Sequence, residues 1–432
     1  MGLRIAMISD FFYPRLGGVE NHILNLSKEL RKLGHTIVVI THSNTGVKGV
    51  HYVDGFKTYY LELLSIFGGA VFPTFLCTSV PIGKILLEEK IEVVHGHQST
   101  TLGIEGVFHA KMLGLFTCFT NHSLIKVRTL GGMLTCSAMK MSLVDVDQLI
   151  CVSQASRENT AERLEIPEKK IKVIPNAVTE EFEPGADRNT ETEIVISVVT
   201  RLTFRKGAML LAEILPDLCA LDKRIRVVIA GEGDKKEHLE QVVELENLKD
   251  RVTFLGGIPA DRVKDVMQRS DLFLNTSLTD AFCISIIEAA ACGLYVVSTN
   301  VDGIGELLPE EMITLTEPAA EELVEGVRGA LLKISTYDKK KSHENVKERY
   351  RWNRVAKQTE QVYYSICKEQ EKPRKTKNIT SITKKMLQKR RTAFYLPFMV
   401  FFFFNYVIIL FLVKKYESRA KQARSRSLAG RT

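Results

Sequence analysis

The chain has eight cysteines in 432 residues but no Cys-x-x-Cys pair. That argues against a zinc ribbon or a disulfide framework and predicts reduced, mostly buried thiols. No Gly-x-Gly-x-x-Gly fingerprint is present, so a nicotinamide cofactor is not expected. No short repeat recurs. The opening MGLRIAMISDFF lacks a basic stretch followed by a long apolar run and a cleavage site, so no signal peptide is expected. Ala6 stands where N-myristoylation needs Ser or Thr. Acid is scarce at one end. Residues 372–391 carry nine Lys or Arg and no acid, and residues 414–432 carry seven with one Glu. Removing these contributions of +9 and +6 from the net +8 leaves −7 for the rest. A nucleic-acid partner needs a basic patch on a folded face; here the excess sits at one end, so none is expected.

Between the two basic segments lies AFYLPFMVFFFFNYVIILFLV, Ala393–Val413, 21 residues without a charge. That is long enough to span ~30 Å of hydrocarbon, and Pro397 and Asn405 are tolerable in a membrane helix. A single transmembrane helix is expected there, with a basic linker at 372–392 and a basic tail at 414–432. A second uncharged window, Leu63–Gly83, contains three glycines and two prolines. It is expected to be a broken, buried or interfacial segment. Sequons occur at Asn25, Asn121, Asn275 and Asn378. Two fall beside candidate site residues, where a glycan would block access, which favours a cytosolic body.

The body is an alternation of short apolar strands and helix-length segments. Leu3–Ser9 reads as a strand, about Asn21 to Leu33 as a helix closed by Gly34, and Thr36–Thr41 as the next strand. The pattern continues to Ile171–Ile174. Thr179–Glu193 is polar, with Pro184 and Gly185, and reads as a linker. A second set follows: IVISVVT, RVVIAG, RVTFLG, DLFLNT and LYVVST. Strands spaced by helices imply parallel sheets covered on both faces. The expected α/β architecture is two Rossmann-like domains facing a cleft, 1–180 and 181–350, followed by an amphipathic helix at 351–371.

The segment Asp271–Pro309 carries the strongest chemistry. It places Asp280 where a strand ends and Glu288 about two turns into an Ala-rich helix closed by Gly293. Ligands of open α/β sheets bind at the carboxyl ends of strands, and a helical carboxylate can accept both hydroxyls of a ribose. An acidic pair around such a helix can equally be a solvated face. Arg201, Lys206 and Gly207 follow another strand end. The two cations can neutralise a diphosphate, each charge-assisted bond contributing roughly 1.5–3 kcal/mol; a solvated basic loop is the alternative. Gly17 and Gly18 follow the first strand and permit close backbone approach to an anion, or form a plain turn. Gly231 sits in a further strand-end turn. His122 ends a strand in the first half. His95 and His97 end another; with no Cys or acid nearby in sequence, they read as crevice lining rather than a metal site.

The order of these features resembles the retaining GT-B glycosyltransferases of the glycogen-synthase and sucrose-synthase type, over roughly residues 1–365. The acidic pair matches that family's acid-x7-acid motif, with Asp280 in place of the usual Glu. Arg201, Lys206 and Gly207 match its RxxxxKG motif position by position. The resemblance implies that Glu288 holds the nucleotide ribose and that Asp280 and His122 orient the donor sugar. Arg201 and Lys206, with amides near Phe282 and Cys283, would take the charge of the departing diphosphate. Gly17, Gly18 and Gly231 would lie near the nucleotide sugar, and no metal or other cofactor is required. Asp302-Gly-Ile-Gly-Glu306 resembles a segment that follows the acidic motif, with Asp302 where Gly is more usual and Glu306 as a cap or support.

SDFFYPRLGGVENHI, ICVSQASREN, VIPNAV and NTSLTDAFCISIIEAAACGLYVVST, with one C-terminal membrane helix, are similar to a narrower family. These are the catalytic subunits of phosphatidylinositol N-acetylglucosaminyltransferase. The implied reaction moves N-acetylglucosamine from UDP-N-acetylglucosamine to phosphatidylinositol with retention, the first step of GPI-anchor synthesis. It implies a multi-subunit complex in the endoplasmic reticulum membrane, with the catalytic body on the cytosolic side. The alternatives are a related membrane transferase with another lipid acceptor, such as a phosphatidylinositol mannosyltransferase, and a non-catalytic nucleotide-sugar-binding scaffold.

Overall fold

The computed structural model describes residues 2–15, 17–43, 46–63, 76–98, 101–368, 385, 399–400, 403–416 and 418. They belong to two units. One comprises Met1–Val152, Ser156–Ile174 and Ala356–Thr432; the other comprises Ser153–Ala155 and Pro175–Val355. The compact units divide after Ile174, and the chain rejoins the first unit after Val355.

The first unit runs β1 (Arg4–Ile8), α1 (Gly18–Lys32), β2 (Thr36–His42), β3 (Gly49–Val53), β4 (Phe56–Leu61), α2 (Leu76–Glu88), β5 (Val93–His97), α3 (Thr101–Met112), β6 (Phe116–Asn121), α4 (Leu130–Ser142), β7 (Gln148–Cys151), α5 (Gln154–Leu164, whose first two residues count with the second unit) and β8 (Ile171–Val173). Its eight strands are ordered β3-β4-β2-β1-β5-β6-β7-β8. All neighbours are parallel except β3 and β4. Central strands such as TIVVITH are continuous apolar runs because helices cover both faces. Ile8, Val38, Ile40, Val94, Leu102, Val107, Phe119 and Leu149 share one core.

The β3–β4 hairpin was not anticipated. Its signal is Asp54-Gly55, both at positive φ (52° and 78°), the requirement of a tight hairpin turn. The uncharged window at 63–83 also differs from expectation where it is described. Leu76–Glu88 is one helix that runs through Pro81; residues 64–75 of that window lie outside the described residues.

The second unit runs β9 (Ile194–Val199), α6 (Ala208–Leu221), β10 (Ile225–Ala230), α7 (Lys236–Leu245), β11 (Val252–Gly256), α8 (Val263–Gln268), β12 (Leu272–Asn275), α9 (Ile284–Ala291), β13 (Tyr295–Thr299), β14 (Ile313–Thr316), α10 (Ala320–Leu331) and α11 (Lys339–Arg349). Its six strands are all parallel in the order β11-β10-β9-β12-β13-β14. This is the doubly wound Rossmann order, and the connections reverse direction between β9 and β12. Ile196, Val198, Leu211, Ile229, Leu274, Val297 and Leu323 fill its core.

Helix α12 (Trp352–Lys368) then returns the chain to the first unit. There Tyr363 is fully buried, and its hydroxyl lies 2.6 Å from Nδ1 of His95. Among the described residues no helix is long and apolar enough to cross a membrane. The expected span Ala393–Val413 lies partly outside those residues. Helical residues 403–416 set Ile409 against Phe108, Met112 and Met141 of the same unit.

Candidate functional site

The switch point of the second sheet dictates where a ligand can sit. The loops leaving β9 and β12 diverge there, and they carry the two motifs that stand out in the sequence. The β9 loop ends in a 3-10 turn, Phe204–Lys206, and Gly207 then starts α6. Gly207 has φ +72°, and a Cβ there would lie 1.6 Å from the Thr276 carbonyl oxygen. Only glycine allows the two loops to approach this closely. The Thr276 hydroxyl donates to the Gly207 carbonyl (3.1 Å), and the Leu278 N–H donates to the Arg205 carbonyl (3.0 Å).

This stitching brings Lys206 and Asp280 together although 74 residues separate them: Lys206 Nζ donates to Asp280 Oδ2 in an ion pair. Burial opposes the Lys206 charge, but the neighbouring Cys283 and Asp280 more than offset it, and the ammonium pKa is raised. Arg201 is exposed and close enough for its charge to act against that of Lys206. The pair of cations is thus held with one carboxylate counter-charge, an arrangement suited to a polyanion that can displace Asp280.

Asp280 is itself held by its neighbours. The Asp280 N–H and the Thr279 hydroxyl both donate to Asp302 Oδ2, at 3.1 and 2.6 Å. The Gly303 N–H donates to the Asp280 carbonyl. Asp302 does this from a left-handed backbone (φ 49°). Sequence reasoning noted the unusual residue without finding this role. The Phe282 N–H faces Asp280 Oδ1 at 3.4 Å. Cys283 is the N-cap residue of α9; burial, then the Asp280 charge, pushes its thiol up to about 11. Glu306 caps as expected: its two carboxylate oxygens accept from the Gln154 and Ala155 N–H groups at 2.7 Å each.

Glu288 lies on α9, and no hydrogen-bond or ion-pair partner holds its carboxylate among the described residues. Burial, with the Glu181 charge adding, pushes it up to about 7. A carboxylate left without donors in this setting is matched to a ligand that brings two, such as the vicinal hydroxyls of a ribose. Gly231, after β10, has φ +154°, and a Cβ would lie 1.8 Å from the Thr200 carbonyl oxygen. It joins the β10 loop to the β9 loop, so the structure gathers Arg201, Lys206, Gly231, Asp280, Phe282, Cys283 and Glu288 in one unit.

The remaining candidates belong to the first unit. Gly17 is the N-cap residue of α1 in extended backbone, and Gly18 opens that helix. His122 directly follows β6, and its Nε2 lies 3.3 Å from His97 Nδ1. His95 and His97 do not line a surface crevice as expected: both are fully buried. His95 lies between Tyr363 Oη and Thr120 Oγ1, at 2.6 and 2.7 Å. Burial lowers it to about 3. Asn121 and Asn275, two of the sequon residues, are also buried.

Residues 179–351 match the family described as glycosyl transferases group 1, and residues 16–182 match glycosyltransferase family 4. A phosphatidylinositol N-acetylglucosaminyltransferase subunit of Arabidopsis thaliana is 44% identical, over 84% of this chain and 81% of the relative. The phosphatidylinositol N-acetylglucosaminyltransferase gpi3 subunit of Schizosaccharomyces pombe is 41% identical, over 84% and 81%. The chain belongs to this family of phosphatidylinositol N-acetylglucosaminyltransferase subunits. It is a hexosyltransferase of GT-B fold. Similar solved structures include sucrose-phosphate synthase from Thermosynechococcus elongatus (TM-score 0.71, 19% identity, 85% of this chain and 100% of that one). Another is Anabaena HepE in complex with UDP (TM-score 0.68, 16% identity, 84% and 100%). At those identities the likeness concerns the fold.

Proposed function

We propose that the chain transfers N-acetylglucosamine from UDP-N-acetylglucosamine to the inositol of phosphatidylinositol with retention, opening GPI-anchor synthesis. Family membership supports the reaction, and the Lys206–Asp280 pair, with the unpartnered Glu288 in the same unit, supports the assignment of residues. Glu288 accepts the ribose hydroxyls. Arg201 and Lys206, with the amides near Phe282 and Cys283, take the charge that develops on the departing diphosphate. That polyanion competes with Asp280 for Lys206 and frees the Asp280 carboxylate to orient the sugar. His122 is assigned to the sugar as well, and Gly17, Gly18 and Gly231 to close backbone approach. The acceptor hydroxyl attacks from the leaving-group face, and a phosphate oxygen accepts its proton. No metal is assigned a step.

The acceptor is a lipid, and the first unit presents apolar surface. Leu130, Met133 and Leu134 on α4 are exposed, as are Val400, Phe403, Phe404, Val407 and Phe411, which follow helical spacing. These, with the uncharged Ala393–Val413 segment, support attachment by one C-terminal membrane helix. We assign the protein to the endoplasmic reticulum membrane, with its body cytosolic and further subunits as partners.

The test is incubation of membranes containing the chain and its partner subunits with labelled UDP-N-acetylglucosamine and phosphatidylinositol. A labelled glycolipid formed by wild type and lost in Glu288→Ala is the expected result. A product formed only from a GDP-sugar would overturn the donor assignment.

A further inference from the structure

The first unit has its own switch point, between β1 and β5, where imidazoles gather beside the buried Asp10 side chain, which accepts from the Leu102 N–H at 2.8 Å. His22 comes from α1, His97 is the last residue of β5, and His122 follows β6. The nitrogens these three offer all lie within 4.8 Å of one another. The His22 ring centre is 4.6 Å from that of His122 and 5.5 Å from that of His97. Three imidazoles packed this closely disfavour one another's charged forms, and a neutral imidazole keeps one lone pair.

We propose that His22, His97 and His122 form a binding site for a borderline-soft divalent cation, Zn2+ above all, and that filling it withdraws His122 from the donor sugar. The second half rests on the role given to His122 above; the first does not. Zinc binds imidazole nitrogen at ~2.0–2.1 Å, so two ligands of a tetrahedral ion stand about 3.3–3.4 Å apart. His97 Nδ1 and His122 Nε2 are 3.3 Å apart already. Closing the trio needs the widest pair to contract by at most ~1.4 Å from its 4.8 Å limit. His122 can supply that movement, being partly exposed while His22 and His97 are buried.

The tautomers also fit. His97 Nε2 lies 3.4 Å from the Met7 thioether, which can only accept, so the His97 proton belongs there. Nδ1 is left as a lone pair facing His122. Without a cation, His122 donates its Nε2 proton across that gap. On binding, the proton moves to His122 Nδ1, and no net proton is released. Three nitrogens and no oxygen among the ligands disfavour Mg2+ and Ca2+. Three ligands also leave a fourth position open for water.

The probe is Co2+, titrated into the full-length chain in detergent under chelator-free conditions and then displaced by Zn2+. The expected result is one tetrahedral Co2+ per chain, seen by its intense visible bands. His22→Gln and His97→Gln, each checked for an unchanged thermal unfolding curve, should weaken binding by at least the ~10–100-fold that loss of a mere outer-shell partner costs. No tetrahedral spectrum, or one that neither variant alters, overturns the site. The catalytic half is read separately. Zn2+ should suppress transfer by the wild-type complex, a chelator should restore it, and His22→Gln should resist the suppression. Full wild-type transfer with the site occupied overturns the inhibitory role. Absence of transfer in chelator alone would instead count against the function proposed above, while the spectrum still decides the site.

Discussion

The two units place different chemistry at the switch points of their sheets. At the switch point of the second, Arg201, Lys206 and Asp280 place charges on loops that are partly open to solvent, and Glu288 adds a carboxyl from α9. At that of the first, His95 and His97 are buried and held neutral. A sheet's strand order thus fixes where chemistry occurs, and the loop residues decide which kind. The charged site is built to exchange an internal ion pair for a ligand's phosphates. The histidine site offers imidazole lone pairs and hydrogen bonds, with the buried Asp10 side chain tied to the Leu102 N–H nearby.

The contrast can be tested most strongly at Lys206. Lys206→Ala should lower transfer by about 10²–10³, the cost of removing one donor to a developing anion, and should leave the protein folded and membrane-bound. Full turnover in that variant would remove the charged site from the mechanism. Gly207→Ala acts on the same loops through stability. A left-handed non-glycine backbone costs ~1–2 kcal/mol and overpacking ~1–3 more, so chemical denaturation should show a loss of about 3 kcal/mol; an unchanged midpoint would deny the close loop approach.

Glu288 gives a smaller, pH-dependent effect. Its carboxyl is pushed up to about 7, and ribose hydroxyls need it ionised. Between pH 6 and 8 the ionised fraction rises from about one tenth to nine tenths, so UDP affinity should rise about tenfold. In the ligand-free protein the same shift acts the other way on stability, which falls as pH climbs from the usual carboxylate range towards 7. Calorimetric titration of UDP with Glu288→Gln should flatten the affinity profile; a profile that keeps its slope would place the titration elsewhere.

The smallest effect is expected at Asp302. Asp302→Gly relieves a positive φ but removes two exposed hydrogen bonds, so stability should change by only ~0.5 kcal/mol. Turnover should still drop, because the Asp280 loop loses its anchor. Unchanged kcat would show that the anchor does not position Asp280.

The sequence made the second unit largely legible because its site residues stand at strand ends in a fixed order, and strand ends converge by topology. What it could not show was that Lys206 and Asp280 meet, since that depends on Gly207 fitting against Thr276. Asp302 looked like a departure from a glycine, and only its side-chain bonds reveal a use. The β3–β4 hairpin is legible in Asp54-Gly55, a turn pair at positive φ between two strands. The imidazole cluster was not readable: His22 lies on a helix 75 positions before His97, and no spacing rule links a helix face to a distant strand end.

Helix α12 gives the chain an order of assembly. His95 is made early, yet its buried partner Tyr363 lies 268 residues later, and His35 likewise meets Glu360. The whole second unit is translated between them. Domains generally fold as units while they emerge from the ribosome. The second unit can therefore close on itself while the first still waits for its last helix. During that interval the nascent first unit exposes the apolar seam that Val362, Tyr363 and Ile366 later cover. A chain released before α12 would keep that seam bare and be a natural client for chaperones and quality-control proteases.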